Sequence, residues 1–143
     1  MSIKIKIAVT PGEMQQTQAI RHKVFVLEQG IPSELNLDGR DGDAVHVLAY
    51  LDNVPVATGR INILPGGEGE LARIAVLPEA RGKSLGKLVV QQLEKYAKSA
   101  GATSVFLHPH DYLETFYANL GYEKTNETMI VANYRLIKMR KKL

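Results

Sequence analysis

The chain has 143 residues, of which 45% are hydrophobic and 23% charged, which predicts one globular domain over residues 1–143 and excludes a disordered chain. It contains no Cys, and this excludes disulfides, zinc–thiolate sites and a cysteine nucleophile. The formal net charge is +3, and a pI near 9.1 is typical of proteins that bind nucleic acid.

The positive charge is unevenly distributed along the sequence. Residues 138–143 hold four of the 18 basic side chains, and without them 14 basic side chains face 15 acidic ones. The basicity is therefore predicted to belong to a short terminal tail, and we expect no nucleic-acid partner. The acidic stretch from Glu34 to Asp43 predicts either a solvated loop or, beside a cleft, a surface that attracts a cationic substrate.

Hydropathy argues against a membrane association. No apolar stretch approaches the ~20 residues that a membrane span needs, so we expect no membrane partner. Residues 1–7 alternate in polarity and lack the apolar core of a signal peptide. Both observations favour a cytoplasmic location.

The first part of the chain predicts one strand and one helix. Isoleucines alternate with lysines over residues 3–7, which is the period of a half-buried strand. Thr10 and Glu13 form a capping box with Pro11 at the first helical position, and the helix that they begin is predicted to reach Leu27. The buried face of that helix is predicted to hold Ile20, Val24 and Leu27.

The rest of the chain predicts strands that alternate with two further helices. A tight turn at Asp52-Asn53 joins two of the strands into a hairpin. The predicted strands span residues 45–51, 54–64, 71–76, 103–107, 122–124 and 129–138, and the predicted helices span residues 85–100 and 111–120. The order β-α-β-β-β-α-β-α-β-β predicts a mixed α/β sheet in a single domain.

A glycine-containing turn between the strand 71–76 and the helix 85–100 predicts a phosphate site. Such a turn leaves backbone N–H groups unpaired at the positive end of a helix dipole, where anions bind. Gly82 and Gly86 allow close approach of a ligand to the backbone, while Arg81 and Lys83 add positive charge. The turn lacks the complete Gly-x-x-x-x-Gly-Lys-Ser/Thr pattern of a Walker loop and the third glycine of the dinucleotide fingerprint, so neither of these phosphate loops is expected. The alternative to a phosphate site is an ordinary turn between strand and helix with a capping glycine.

The segment 81–86, Arg-Gly-Lys-Ser-Leu-Gly, resembles the acetyl-CoA loop of the GNAT family of N-acetyltransferases, Arg/Gln-x-x-Gly-x-Gly/Ala. Ser84 replaces the middle glycine, and we expect it to take a helical φ in the opening turn of the helix. Residues 115–122 resemble the family's aromatic-Tyr-x-x-Leu-Gly-Phe/Tyr element, and residues 21–32 resemble its small bacterial ElaA/YjcF-like branch. The resemblance implies a single-domain GNAT fold, in which helices flank a mixed, mostly antiparallel central sheet.

The resemblance also implies an activity and its residues. The enzyme would transfer acetyl from acetyl-CoA, its cosubstrate, to a primary amine of a small molecule or peptide by direct attack. Tyr117 is implied as the general acid for the leaving thiolate; the alternative is a tyrosine that only packs in a helix. Glu70 is implied as the general base; the alternative is a solvent-facing residue at the start of a strand. The implied acetyl-CoA-binding residues are Ile74, Ala75, Val76, Arg81, Gly82, Lys83, Ser84, Leu85 and Gly86.

Two further side chains are candidates for binding the acceptor. Glu28 is predicted to bind the cation of the amine, and His108 is predicted to contact the substrate or to act as a base. Arg73 follows Glu70 at an odd offset, so the two face opposite sides of a regular strand unless a bulge intervenes. The spacing of His108 and His110 suits a metal, but without Cys ligands we expect no metal cofactor.

Two other functions stay open from the sequence. An acyl-homoserine-lactone synthase would share the fold and the Glu-x-x-Arg spacing, although those enzymes are longer. A non-catalytic CoA-binding module is the second, and Ser84 in the loop is its only support. A homodimer is compatible with either enzyme.

Overall fold

The computed structural model describes residues 2–143, and one seven-stranded sheet organises them. Its strands are β1 (Ile3–Ile7), β2 (Val45–Leu51), β3 (Val54–Ile63), β4 (Gly69–Val76), β5 (Ser104–Leu107), β6 (Glu123–Val131) and β7 (Tyr134–Lys142). The order across the sheet is β1-β2-β3-β4-β5-β7-β6, and only β4 and β5 run parallel. The predicted mixed, mostly antiparallel sheet flanked by helices is confirmed.

The helices are α1 (Pro11–Arg21), α2 (Ser33–Asn36), α3 (Leu85–Ser99) and α4 (Glu114–Ala118). The predicted capping box begins α1, with the Glu13 N–H donating to Thr10 Oγ1 at 3.1 Å. The helix continues as a π-helix over His22–Glu28, and its i→i+5 hydrogen bonding widens the turn. The wider turn changes which side chains share a face, so Leu27 is 68% exposed and its predicted burial is wrong. Among residues 2–143, no helix is long and apolar enough to cross a membrane.

Helices α3 and α1 cover opposite faces of the sheet. Gly59 of β3 lets α3 approach closely, because a Cβ at this position would lie 2.8 Å from Val89 Cγ1 and 2.9 Å from Leu93 Cδ1. The next side chain, Arg60, points to the other face, where it shares the partner Asp41 with Arg21 of α1. The apolar core therefore lies largely under α3, and a charged cluster lies under α1.

A β-bulge in β4 changes the direction of the Arg73 side chain. The register shifts opposite Gly59, which faces both Arg73 and Ile74. Arg73 has a φ of +55°, a left-handed conformation that costs a residue with a side chain about 1–2 kcal/mol. Because of the extra residue, Arg73 and Glu70 line the same cavity despite their odd spacing.

Strands β4 and β5 separate soon after they meet. They pair only at Gly69 with Val105 and at Glu70 with Phe106. Beyond these pairs, β5 continues its hydrogen bonding with β7 alone. The backbone of β4 from residue 71 onwards is consequently open on this side.

The C-terminal basic residues belong to β7, so the prediction of a terminal tail is wrong. Ser104 pairs with Lys142 and Leu107 pairs with Met139, whose side chain is 1% exposed. Arg140 donates to Glu68 at 2.6 Å, and Lys141 lies 3.1 Å from a carboxylate oxygen of Glu94. Ile137 and Met139, which are buried, alternate with Lys138 and Arg140, so one face of the strand is buried where the basic run begins.

Candidate active site

A cavity of about 420 Å³ lies where β4 and β5 separate. Four predicted site residues line it, namely Glu70 and Ile74 from β4, His108 after β5, and Tyr117 from α4. Its apolar lining includes Phe25, Ile31 and Leu35 from the segment after α1, and Met129, Val131 and Leu136 from β6 and β7. A mostly apolar cavity with a few converging polar groups is typical of a small-molecule site.

Glu70 is held at the cavity by two neighbours. Its Oε1 lies 2.5 Å from Arg40 Nη1, its Oε2 lies 3.8 Å from His108 Nδ1, and its side chain is only 15% exposed. Burial lowers the pKa of His108, so the imidazole is uncharged at neutral pH. A carboxylate and a neutral imidazole therefore stand side by side, and both can accept a proton.

Tyr117 reaches the same cavity from α4. Its side chain is buried, and burial raises the pKa of its phenol, so the hydroxyl is protonated at neutral pH. The rings of Phe116 and Tyr122 contact it edge-on, at centroid distances of 4.9 Å and 5.8 Å. Within residues 2–143 the hydroxyl finds no hydrogen-bond partner, which leaves its proton available to a ligand.

The predicted phosphate loop has free backbone donors. The first hydrogen bond of α3 runs from the Leu88 N–H to the Ser84 carbonyl at 3.1 Å, so in the described chain the N–H groups of residues 85–87 have no helical acceptor. Gly82 and Ser84 have φ values of +81° and +62°, and the helical φ predicted for Ser84 is therefore wrong. Two left-handed residues turn the chain sharply before α3 begins at Leu85. A Cβ on Gly86 would meet only ordinary contacts, the nearest at 3.5 Å from Phe116 Cζ.

Arg81 and Glu28 pair with each other. The guanidinium of Arg81 donates to both Glu28 oxygens at 2.7 Å, and its Nε donates to the Val76 carbonyl at 3.1 Å. The Arg81 side chain lowers the pKa of Glu28 by hydrogen bonding to its carboxylate. Glu28 does not line the cavity, so the structure separates it from the other predicted acceptor residue, His108.

The acidic loop is largely neutralised by arginines. Asp38 pairs with Arg60 and Arg73, and Asp41 pairs with Arg60 and Arg21. Arg21 and Arg60 are each 1% exposed, and neither was predicted as a site residue. The available signal was a charged residue, Arg60, within a predicted strand. Asp38 and Asp41 are therefore already paired, and the attraction of a cationic substrate by the loop stays an untested prediction.

Comparison with known proteins shows which family the chain belongs to. Residues 14–122 match the acetyltransferase (GNAT) family, and the chain belongs to that family. It is therefore a transferase enzyme, and the resemblance predicted from the sequence is confirmed.

Individual relatives agree with this assignment. A Bacillus subtilis protein described as an acetyltransferase is 36% identical over 132 residues, which are 90% of this chain and 89% of the relative. The B. subtilis N-acetyltransferase YjcF is 31% identical, over 87% of this chain and 89% of its own. The crystal structure of Escherichia coli ElaA has a TM-score of 0.87 at 22% identity, over 98% and 99% of the two chains. A PaiA N-acetyltransferase from Thermoplasma acidophilum in complex with coenzyme A has a TM-score of 0.76 at 20% identity, with both chains fully covered.

Proposed function

We propose that this protein transfers the acetyl group of acetyl-CoA to a primary amine bound in the cavity. One observation carries the proposal. Glu70 of β4 and Tyr117 of α4 line the same cavity, beside the open backbone of β4. The family assignment and a similar fold that holds coenzyme A support the choice of cosubstrate.

The residues between β4 and α3 fit the two parts of coenzyme A. Unpaired N–H groups at the beginning of α3, with Lys83 beside them, suit its pyrophosphate. The backbone of Ile74 and Ala75, unpaired on the β5 side, suits the amide groups of its pantetheine arm, whereas the Val76 carbonyl already accepts from Arg81 Nε. Acetyl-CoA, when bound, supplies the acetyl group as an activated thioester.

The proton transfers are assigned to three side chains. An alkyl ammonium has a pKa of about 10.4, so an acceptor for its proton is needed before the amine can attack. Glu70 Oε2 accepts that proton directly or through His108, which lies 3.8 Å away. Tyr117 Oη, which is protonated at neutral pH, donates its proton to the sulfur that leaves, and the phenolate then regains a proton from water.

Tyr117→Phe tests the assignment of the acid. We expect normal acetyl-CoA affinity by calorimetry and a fall in kcat of about 10²-fold or more, the usual contribution of a positioned acid or base. Tyr96→Phe is the matched control, since Tyr96 lies half-buried in α3 away from the cavity lining and should leave kcat unchanged. An unchanged kcat at saturating amine in Tyr117→Phe would remove Tyr117 from the mechanism.

A further inference from the structure

Building on the proposed acetyl transfer, we propose that the acceptor amine also carries a carboxylate, which Arg73 binds while the apolar part of the acceptor lies between Phe25 and Met129. The acceptors that this chemistry defines are apolar amino acids and short peptides with a free C-terminus. The proposal reverses the expectation of a cationic acceptor.

The charges beneath the cavity do not balance. The arginine cluster, defined as Arg21, Arg60 and Arg73, faces two carboxylates, those of Asp38 and Asp41. Arg60 binds both Asp38 oxygens, at 2.9 Å and 2.5 Å, and Asp41 Oδ1 accepts from Arg21 and Arg60 at 2.7 Å each. Two buried arginines therefore occupy the two carboxylates, and one positive charge is left over.

The excess charge lies on Arg73, because its one carboxylate partner, Asp38, is already held by Arg60 through both oxygens. Its Nε donates to the Asn36 carbonyl at 3.2 Å, and its Nη2 donates to the Leu35 carbonyl at 2.9 Å and to Asp38 at 3.2 Å. Carbonyl groups orient the guanidinium without cancelling its charge, and Nη1 has no partner in the described part of the chain. Burial and the neighbouring Arg60 lower the pKa of Arg73, so a carboxylate at this position would relieve an unfavourable interaction.

The backbone keeps Arg73 directed at the cavity. The left-handed φ of +55° at the bulge is strained for a residue with a side chain, and such strain clusters at ligand sites. The side chain lines the cavity and is 26% exposed, so a ligand can reach it. An arginine presents paired N–H groups that match a carboxylate in bidentate geometry.

The remainder of the cavity suits an apolar amine. Phe25, Ile31 and Met129 form walls without charge. Besides Asp38, the cavity lining holds one carboxylate, that of Glu70. It pairs with Arg40 and is assigned to the proposed proton transfer. A polycationic acceptor would meet arginines here and no unpaired carboxylate among the lining residues.

Binding of reaction products to the wild-type protein tests the inference without a mutation. N-acetyl-phenylalanine and N-acetyl-leucine, each against its own carboxamide, are titrated calorimetrically into the protein saturated with CoA. None of these compounds has a titratable amine, so the comparison reports the carboxylate alone. We expect at least one acid to bind about tenfold or more tightly than its amide, as a charge-assisted pair would produce. If no acid binds more tightly than its amide, the inference is overturned.

Arg73 variants assign the preference to this side chain. Arg73→Gln should abolish the difference between acid and amide, whereas Arg73→Lys, which keeps the charge, should retain most of it. Arg135→Gln is the matched control, because Arg135 is exposed on β7 and lies outside the cavity lining. A preference that survives in Arg73→Gln contradicts the inference, and if that variant does not fold, the wild-type comparison decides alone.

Acetyl-CoA binding separates this inference from the function on which it rests. All three variants should bind acetyl-CoA as the wild type does, because the phosphate loop is built elsewhere. A wild-type protein that does not bind acetyl-CoA refutes the proposed function. Binding and amine acetylation without any preference for carboxylates refute only the acceptor class.

Discussion

At the scale of single residues, Ser84 stands where the chain needs glycine. Its φ of +62° places a Cβ in a conformation that costs about 1–2 kcal/mol, and its side chain makes no capping hydrogen bond that offsets the cost. Ser84→Gly should therefore raise the free energy of unfolding by about 0.5–1 kcal/mol, after allowance for the greater freedom of glycine in the unfolded chain. Urea denaturation measures this change.

Gly82→Ala should change the free energy of unfolding in the opposite direction, at a position two residues away. Gly82 has a φ of +81° and no atom within 4 Å of an added Cβ, so backbone strain alone should lower the stability by about 1 kcal/mol. A stabilising Gly82→Ala or a destabilising Ser84→Gly would contradict the left-handed turn at the phosphate loop.

The same residues mark the limit of sequence-based prediction. A motif located the turn before α3 that is proposed to bind phosphate, because a glycine pattern before a helix has a local physical meaning. The φ of Ser84 depends on where α3 begins, and the direction of Arg73 depends on a bulge set by pairing with β3. Neither is encoded in nearby residues, so the motif was predictable and its geometry was not.

At the scale of secondary-structure elements, β7 is the least expected part of the fold. It fills the position between β5 and β6, and its residues Ile137 and Met139 are 2% and 1% exposed. Deletion of residues 138–143 should therefore abolish cooperative unfolding, because it removes the pairing of β5 as well as a buried side chain. Circular dichroism during thermal denaturation detects the loss.

The contribution of the basic charges of β7 to stability can be separated from the contribution of the strand itself. Replacement of Lys138, Arg140, Lys141 and Lys142 by Gln keeps the strand and removes three ion pairs and two cation–π contacts, each of which contributes about 0–1 kcal/mol. This variant should fold with a modestly lower Tm. An unfolded Gln variant together with a folded deletion would contradict the assignment.

Elements with local signals were predictable, and elements defined by distant contacts were not. The capping box of α1 and the turn at Asp52-Asn53 are confirmed, since each is fixed by neighbouring residues. The turn between β6 and β7 uses Ala132 and Asn133 at positive φ, and the predicted strand 129–138 ran through it because Ala132 lacks the turn preference that Asp52 has. The widening of α1 into a π-helix likewise follows from packing rather than from an apolar period.

At the scale of the whole molecule, the arginine cluster couples stability to pH. The Arg21 and Arg60 side chains hold the pKa of Asp41 at about 2, below the usual value of about 3.9 for Asp. A carboxyl whose pKa is lowered by folding stabilises the protein above its unfolded pKa, and this stabilisation is lost as pH falls through the folded pKa. Stability should therefore decline as pH falls from about 4 to about 2.

Asp41→Asn isolates this contribution. At pH 6 we expect a loss of about 3 kcal/mol, because two arginines that are each 1% exposed lose a counter-charge. The difference from the wild type should shrink as pH approaches 2, where the wild-type carboxyl also becomes neutral. Asp43→Asn is the control, since Asp43 is exposed and forms no ion pair within residues 2–143. A difference that is independent of pH would contradict the electrostatic account.

In the proposed reaction, the protein transfers the acetyl group of acetyl-CoA to an amine bound in the cavity between β4 and β5. The most direct test incubates the wild-type protein and acetyl-CoA with phenylalanine, leucine, their amides, alanyl-phenylalanine and spermidine, and measures free thiol and N-acetylated product together. We predict thiol release that depends on the amine, with one N-acetylated molecule for each thiol. Saturable binding of acetyl-CoA with no amine-dependent thiol release would contradict the claim and identify a non-catalytic CoA-binding protein.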